Sequence, residues 1–233
     1  MRLQKFLAHA GLCSRRKAEE YILNGQVKVN QRIVTELGSK VDPVCDKVYF
    51  EDKEICLKDE APKIYIAINK PRGYVTSCSQ ENTKIILDLI DIDDRIYPVG
   101  RLDKDSTGLL LLTNDGELHN RMSHPSFNHE KEYVVTTHQP IHNTALKKMA
   151  QGMIIDNTKT RQASVTRMSK NKFRIVLKQG LNRQIRKMVE ALGNKVDTLN
   201  RIRMANIKLG RLQEGNWRYL TPDEVKELTK LQN

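Results

Sequence analysis

The stretch Tyr97-Pro98-Val99-Gly100-Arg101-Leu102-Asp103-Lys104-Asp105-Ser106-Thr107-Gly108-Leu109-Leu110-Leu111-Leu112-Thr113-Asn114 places a guanidinium and a carboxylate two residues apart on a tight loop bounded by glycines. The loop runs straight into an apolar strand, Leu109 to Leu112. An acid at the mouth of a buried strand costs free energy unless it is paired or put to use. Two readings of Asp103 therefore stand side by side on these residues alone: an aspartate that caps a turn, and one that does chemistry.

The rest of the chain narrows the partner. Lys and Arg number 40 against 28 Asp and Glu in 233 residues, a formal net charge of +12. Such an excess favours a polyanion, most simply nucleic acid. The excess is segregated: residues 144–211 hold 17 Lys and Arg against three acids, a local net of +14, whereas residues 33–60 carry a net of −4. A merely solubilising surface would be mixed, so the segregation argues for a binding face. The cysteines at 13, 45, 56 and 78 form no short pair, and neither they nor the histidines offer zinc-ligand spacing. Isolated thiols suit a reducing cytoplasm. Polar residues Gln4, Lys5 and His9 interrupt the N-terminal apolar run, unlike a signal peptide, and no segment approaches the ~18 apolar residues that a membrane span needs. The expectation is a soluble cytoplasmic protein.

Residues 1–34 read as two short helices and a hairpin. Leu3, Phe6, Leu7 and Ala10 have helical spacing that Gly11 ends, and Ser14 is placed to cap a second helix over 15–23. Asn24-Gly25 signals a turn, and Val27, Val29, Ile33 and Val34 suggest small strands around Asn30-Gln31. Arg2, Lys5, Arg15, Arg16, Lys17, Lys28 and Arg32 oppose only Glu19 and Glu20. Arginines at a helix start oppose the helix dipole, a local cost that an RNA phosphate at that end would offset; an ordinary solvated face is the other reading. The run Arg2-Leu3-Gln4-Lys5-Phe6-Leu7, then Gly11-Leu12-Cys13-Ser14-Arg15-Arg16-Lys17-Ala18, then Gly25-Gln26-Val27-Lys28-Val29-Asn30 resembles an S4 RNA-binding domain over roughly residues 1–50. That resemblance makes Arg2, Lys5, Ser14, Arg15, Arg16, Lys17, Lys28 and Asn30 the expected RNA-binding residues. The expected domain spans 1–58, with a polar, Pro-containing linker over 59–63.

From Ile64 to the end at residue 233 a second domain is expected. Strands are predicted over 64–68, 132–137, 163–168, 173–177 and 196–202, and helices over 115–123, 142–150, 182–192 and 222–231. The last begins with a capping box, Thr221-Pro222-Asp223-Glu224, and turns Val225, Leu228 and Leu231 inward. Helix 182–192 gathers Ile185, Met188, Val189 and Leu192 on one face. Strands and helices do not alternate regularly, so the fold class is α+β with a mixed, largely antiparallel sheet.

Two further segments carry candidate chemistry. Lys131-Glu132-Tyr133-Val134-Val135 starts a strand whose pleat sets Tyr133 opposite its neighbours, as a core or a functional tyrosine. Gly180-Leu181-Asn182-Arg183-Gln184-Ile185-Arg186-Lys187-Met188 forms a basic ridge at a helix start, suited to phosphate. Together with Asn69-Lys70-Pro71-Arg72-Gly73 and Gly100-Arg101-Leu102-Asp103, these segments resemble, in order and spacing, the RsuA-type pseudouridine synthases, closest to the RluF and RluB branches. The resemblance implies isomerisation of uridine in ribosomal RNA, most readily 23S rRNA, with small-subunit rRNA or tRNA next, and no cofactor or metal. It implies Asp103 as catalytic acid, Arg186 pairing with it, and Tyr133 stacking on the base and assisting proton transfer. Ile185 would pack on the other side of the ring, and Arg101 would fill the gap left by the flipped nucleotide. Lys70, Arg183 and Gln184 complete the expected substrate-binding set. A non-catalytic RNA-binding or assembly factor is the competing reading; it expects a degraded Asp, Tyr or Arg, and all three are present. A monomer is expected.

Overall fold

The computed structural model describes residues 1–57, 62–123 and 127–230. The chain forms two compact units, Met1–Lys63 and Ile64–Asn233. Residues 59–61 of the expected linker, and Leu231 of the last predicted helix, lie outside the described residues.

The first unit packs helices α1 (Leu3–His9) and α2 (Arg15–Leu23) on a four-stranded sheet. Its strands are β1 (Val27–Val29), β2 (Arg32–Ile33), β3 (Val48–Phe50) and β4 (Lys53–Ile55), in the order β2-β1-β3-β4. Leu3, Phe6, Leu7, Ala18, Ile22, Val27 and Val48 make the core. Ser14 Oγ accepts the Lys17 N–H at 3.1 Å, the expected cap of α2. Asn30 and Gln31 turn the first hairpin with φ of 49° and 67°. Sequence reasoning missed the β3–β4 hairpin because Glu51 and Asp52 turn it, at φ of 47° and 64°, without the Gly or Asn that such a turn favours.

The second unit is a mixed, largely antiparallel nine-stranded sheet with helices on it, an α+β fold. Its strands are β5 (Tyr65–Lys70), β6 (Tyr97–Val99), β7 (Thr107–Thr113), β8 (Lys131–Thr137), β11 (Ser164–Ser169), β12 (Lys172–Leu177), β13 (Val196–Met204), β14 (Ile207–Lys208) and β15 (Trp217–Tyr219). The short pair β9 (Ile154–Ile155) and β10 (Thr158–Lys159) stands apart. The central order is β11-β12-β8-β13-β7-β5-β15, with β14 on β13 and β6 on β7. Among the described strands of this sheet, β13 with β7 is the one parallel pair. Helices α3 (Gly116–Ser123) and α6 (Pro222–Lys230) cover one face; α4 (Asn143–Gln151) and α5 (Gln184–Glu190) cover part of the other. The capping box of α6 is formed, with Thr221 N–H donating to Glu224 at 2.9 Å and Glu224 N–H to Thr221 at 3.2 Å. Leu228 is buried and Val225 half-buried.

The pleat of β5 and β7 divides their apolar residues between the two faces. Ala67, Leu109 and Leu111 join Leu118, Met122, Met204, Ile207 and Leu228 on one side. Ile66, Ile68, Leu110 and Leu112 join Ile86, Ile96 and Leu102 on the other. That second face continues into a cluster under α4 and α5 that includes Val135, Phe173, Ile175, Ile185 and Met188. Tyr133 packs against both clusters and marks the seam between them.

One row crosses that seam in register: Lys70 pairs with Gly108, Gly108 with Arg201, Arg201 with Tyr133, and Tyr133 with Ile175. Gly108 is the tight point. Its φ is +105°, and a Cβ there would stand 2.3 Å from the Arg201 carbonyl oxygen and from Asn200 Oδ1. A side chain at this position would also need a backbone conformation that only glycine adopts readily. We expect Gly108→Ala to lower the unfolding free energy by about 3–5 kcal/mol, read from the urea midpoint; a loss below about 1 kcal/mol would contradict this account of the β7–β13 approach.

Candidate active site

The loop that carries Asp103 is built by residues 69–76. Lys70 is fully buried, and its ammonium donates to the carbonyl oxygens of Pro71 at 2.9 Å, Lys104 at 3.3 Å and Ser106 at 2.9 Å. All three donors of the side chain are thereby used. Gly73 N–H donates to Lys104 O at 2.9 Å, and Ser106 N–H closes a turn on Asp103 O at 3.0 Å. Thr76 clamps the preceding residue from both sides: its hydroxyl donates to Leu102 O at 2.9 Å and accepts Leu102 N–H at 3.2 Å. Leu102 is anchored in the apolar cluster it shares with Tyr133. Asp103 is thus pinned on both sides of its own backbone while its side chain remains 31% exposed.

Two guanidinium groups face that carboxylate. Arg186 Nε and Arg183 Nη1 each lie 3.8 Å from Asp103 Oδ2. Arg186 is held by Nη2, which donates to Asp105 O at 3.2 Å and to Ser106 Oγ at 3.3 Å. Its Nε is buried without a hydrogen-bond partner, and it is the atom that faces Asp103. A buried donor without a hydrogen-bond partner costs free energy, and the nearby carboxylate offsets part of that cost. Burial, and then the neighbouring Arg183 charge, hold the Arg186 pKa below its ordinary value, with Asp103 and Asp105 opposing.

The start of α5 differs from the sequence expectation. The helix begins at Gln184, because Arg183 takes the left-handed conformation with φ 51° and ψ 32°. An arginine seldom adopts this region, and such outliers cluster at functional sites. Here the kink turns Arg183 toward Asp103. Ile185, in the first turn of α5, is buried in the cluster against which Tyr133 packs. Arg101 is exposed on the loop ahead of Leu102. Asp103, Tyr133, Ile185 and Arg186 therefore converge on one face, with Arg101 and Arg183 at its rim.

Two residues expected to bind substrate do something else. Lys70 is sealed beneath the loop with its donors spent. Gln184 is buried too: its side chain accepts Leu181 N–H at 3.1 Å, which closes the turn into α5. Both shape the site rather than line it. In the first unit Arg2, Arg15 and Arg16 are exposed and Lys5 half-buried. Lys17 pairs with Glu20 at 2.7 Å and Lys28 with Asp52 at 2.6 Å. Asn30 donates to Asp46 at 2.7 Å and accepts Lys47 N–H at 2.9 Å, so it stabilises the unit's own loop, as Ser14 caps its helix.

Sequence reasoning missed Arg201 and Thr76. Arg201 is 1% exposed; its Nε donates to Leu109 O at 2.7 Å, and its Nη2 has no partner. Neither residue stands near an obvious motif, and only the pairing of β13 with β7 and β8 brings Arg201 to the row under the site. Among the described residues no group of three or more His, Cys, Asp and Glu side chains is arranged to hold a metal ion, and no helix is long and apolar enough to cross a membrane.

With this geometry established, comparison with known proteins is informative. Residues 64–191 match the RNA pseudouridylate synthase family, and residues 1–48 match the S4 domain. The chain is 40% identical over 231 residues to the dual-specificity RNA pseudouridine synthase RluF of Escherichia coli K12, covering 99% of this chain and 79% of that one. It is 41% identical over 238 residues to the ribosomal large subunit pseudouridine synthase B of Bacillus subtilis, covering 99% and 96%. A crystal structure of a pseudouridylate synthase superposes with a TM-score of 0.72 at 32% identity, over 98% of this chain and 99% of that one.

The buried ammonium under the loop has a measurable consequence. Burial pushes the Lys70 pKa down to about 8, against the pull of Asp103 and Asp105. An unfolded chain restores the ordinary lysine value of about 10.4, so between these two values the unfolded state binds more protons than the folded one. Stability arising at Lys70 therefore rises with pH across that window. Lys70→Met should cost about 2–4 kcal/mol at pH 7, since three carbonyls lose their donor. The gap to wild type should widen toward pH 10 in urea titrations; a gap that narrows would contradict the burial of a charged Lys70.

Proposed function

The chain belongs to the RNA pseudouridylate synthase family, and from that premise we propose that it isomerises uridine to pseudouridine in ribosomal RNA, that of the large subunit first, with Asp103 as the catalytic residue. The observation that carries this reading is the pinned, half-exposed carboxylate between Arg183 and Arg186, each 3.8 Å away. The reaction breaks the N1–C1′ bond of uridine and forms a C5–C1′ bond; the C5 proton leaves and N1 gains one. Atoms balance without an external reagent. A carboxylate held beside the nucleotide can attack it or take the C5 proton, and fixed guanidinium groups stabilise the charge that shifts as the glycosidic bond opens.

The reacting bond is inaccessible in stacked RNA, so the nucleotide must flip out, at a cost of a few kcal/mol. Stacking on an aromatic ring returns about 1–3 kcal/mol. Tyr133 supplies that ring and Ile185 the opposing apolar wall. Arg101, exposed ahead of the loop, occupies the place vacated in the RNA stack, and Arg183 holds a flanking phosphate. Arg186 positions Asp103, and Lys70 and Gln184 position the elements that carry them. The S4 unit docks the RNA through Arg2, Lys5, Arg15 and Arg16. The relative named for the ribosomal large subunit supports RNA of the large subunit, and the one named dual-specificity keeps small-subunit rRNA and tRNA as the other arms of the test.

The decisive experiment is tritium release from 5-tritiated, unmodified large-subunit rRNA, with small-subunit rRNA and tRNA in parallel. Wild type should release tritium from the first, and Asp103→Asn should release none while its RNA affinity stays within about threefold, because no phosphate contact is lost. Turnover by Asp103→Asn at the wild-type rate would remove Asp103 from the mechanism. Release from another RNA alone would reassign the substrate.

A further inference from the structure

The end of the sheet remote from Asp103 carries three loops that the function described above does not use: residues 138–142 after β8, 169–172 between β11 and β12, and 191–195 after α5. They are joined into one plate. Thr137 N–H donates to Asn171 O at 2.8 Å, His138 N–H to Lys195 O at 2.8 Å, and Ile141 N–H to Lys170 O at 2.9 Å. Asn194 bonds Gln139 in both directions, accepting its N–H at 3.2 Å and donating to its carbonyl at 2.9 Å. Arg167 spends its guanidinium on the same joint, donating to Asn143 Oδ1 at 2.8 Å and to the carbonyl oxygens of Ser169, Lys170 and Ile141.

What the plate displays is positive and idle. Lys147, Lys148, Lys170 and Lys195 are exposed, as are His138 and His142. Segments 136–148, 167–174 and 191–196 contain no Asp or Glu. The flanking acids Glu190 and Asp197 are exposed, and neither pairs with these lysines among the described residues. Elsewhere on this unit surface cations do find acids: Arg174 and Arg203 lie on Glu132, Lys178 and Arg203 on Glu130, and Arg218 on Glu224. Four exposed lysines with no acid in their own segments, carried on and beside loops that are bonded into one plate, make an anion-binding surface. The loops carry no Phe, Tyr or Trp, and nearby Phe173 is buried. Lysines dominate the surface, which suits it to phosphates.

Helix α5 links the two places. Its first turn flanks Asp103 and its C-terminal end leads into the plate, a separation on the order of 10–15 Å for its seven residues and the turn beyond. We propose that this plate binds the phosphate backbone of the RNA stem that flanks the target uridine, as a contact within the catalytic unit and additional to the S4 unit. The proposal rests on the functional reading above. It assigns the plate a role in affinity and register, with no part in bond making.

The test is the double variant K170E/K195E, two exposed lysines outside the catalytic machinery, against a control of equal charge change, K208E/K226E. Two substrates are used: the full-length large-subunit rRNA transcript and a short hairpin cut from it around the uridine found by carbodiimide mapping. On the transcript, KM should rise about tenfold over the control with kcat unchanged, and the log–log salt slope of binding should fall by about two. On the hairpin, which lacks the flanking stem, the two variants should behave alike. A transcript KM within twofold of the control, or an equal rise on both RNAs, would overturn the proposal. Should wild type release no tritium at all, the functional reading fails separately, and filter binding of the same transcript by the two variants still decides the plate.

Discussion

The site depends on one buried ammonium. Lys70 sits fully buried beneath the Asp103 loop, and three carbonyls of that loop and its support consume its three donors. A lysine can be buried at this depth only if every donor is matched and nearby acids oppose the loss of solvation. Asp103 and Asp105 provide that opposition. The dependence runs both ways: the loop satisfies the lysine, and the lysine removes the loop's freedom to place Asp103 anywhere else. Gly108 makes the arrangement possible, because only a residue without a side chain lets β7 approach the Arg201 backbone on one side while Lys70 lies across from it on the other.

Around that constraint the face is divided by polarity. Apolar clusters lie on either side of Tyr133, and the registered row from Lys70 runs through Tyr133 to end at Ile175 in one of them. A flat aromatic ring at such a seam is rigid, half wet, and flanked by apolar walls, which suits a planar base better than a charged one. The cations are graded outward from there. Arg201 is sealed, Arg186 nearly so, Arg183 and Arg101 lie at the rim, and the lysines of the distal plate are open to solvent. Buried guanidiniums set geometry at short range, and exposed lysines act on phosphates through a screened field.

Much of this was legible before any coordinates. The apolar run of β7, the capping box of α6, the Ser14 cap and the helix-ending glycine are local signals, and local signals survive in a sequence. The hairpin of β3 and β4 was not legible, because its turn residues are acids that reach positive φ under tertiary pressure alone. The start of α5 was misplaced by two residues for the same reason: Arg183 looks like a helix former, and its left-handed backbone is imposed by the site. Lys70 and Gln184 entered the expected substrate-binding set through the resemblance, and nothing in the linear sequence shows that both are buried.

The sequence by itself determined the candidates: a carboxylate, a ring and guanidiniums whose roles rest on a family resemblance, and a net positive charge that favours a polyanion. Residue types and short spacings are what a linear chain states directly. The tertiary structure alone decided what each side chain touches. Lys70 meets Gly108 through the pairing of β5 with β7, and Arg201 joins them because β13 runs parallel to β7 and antiparallel to β8, a pairing across nearly a hundred residues that no local periodicity encodes. It likewise decided which lysines remain free, since an exposed charge is distinguished from a spent one only by the partners that folding brings to it.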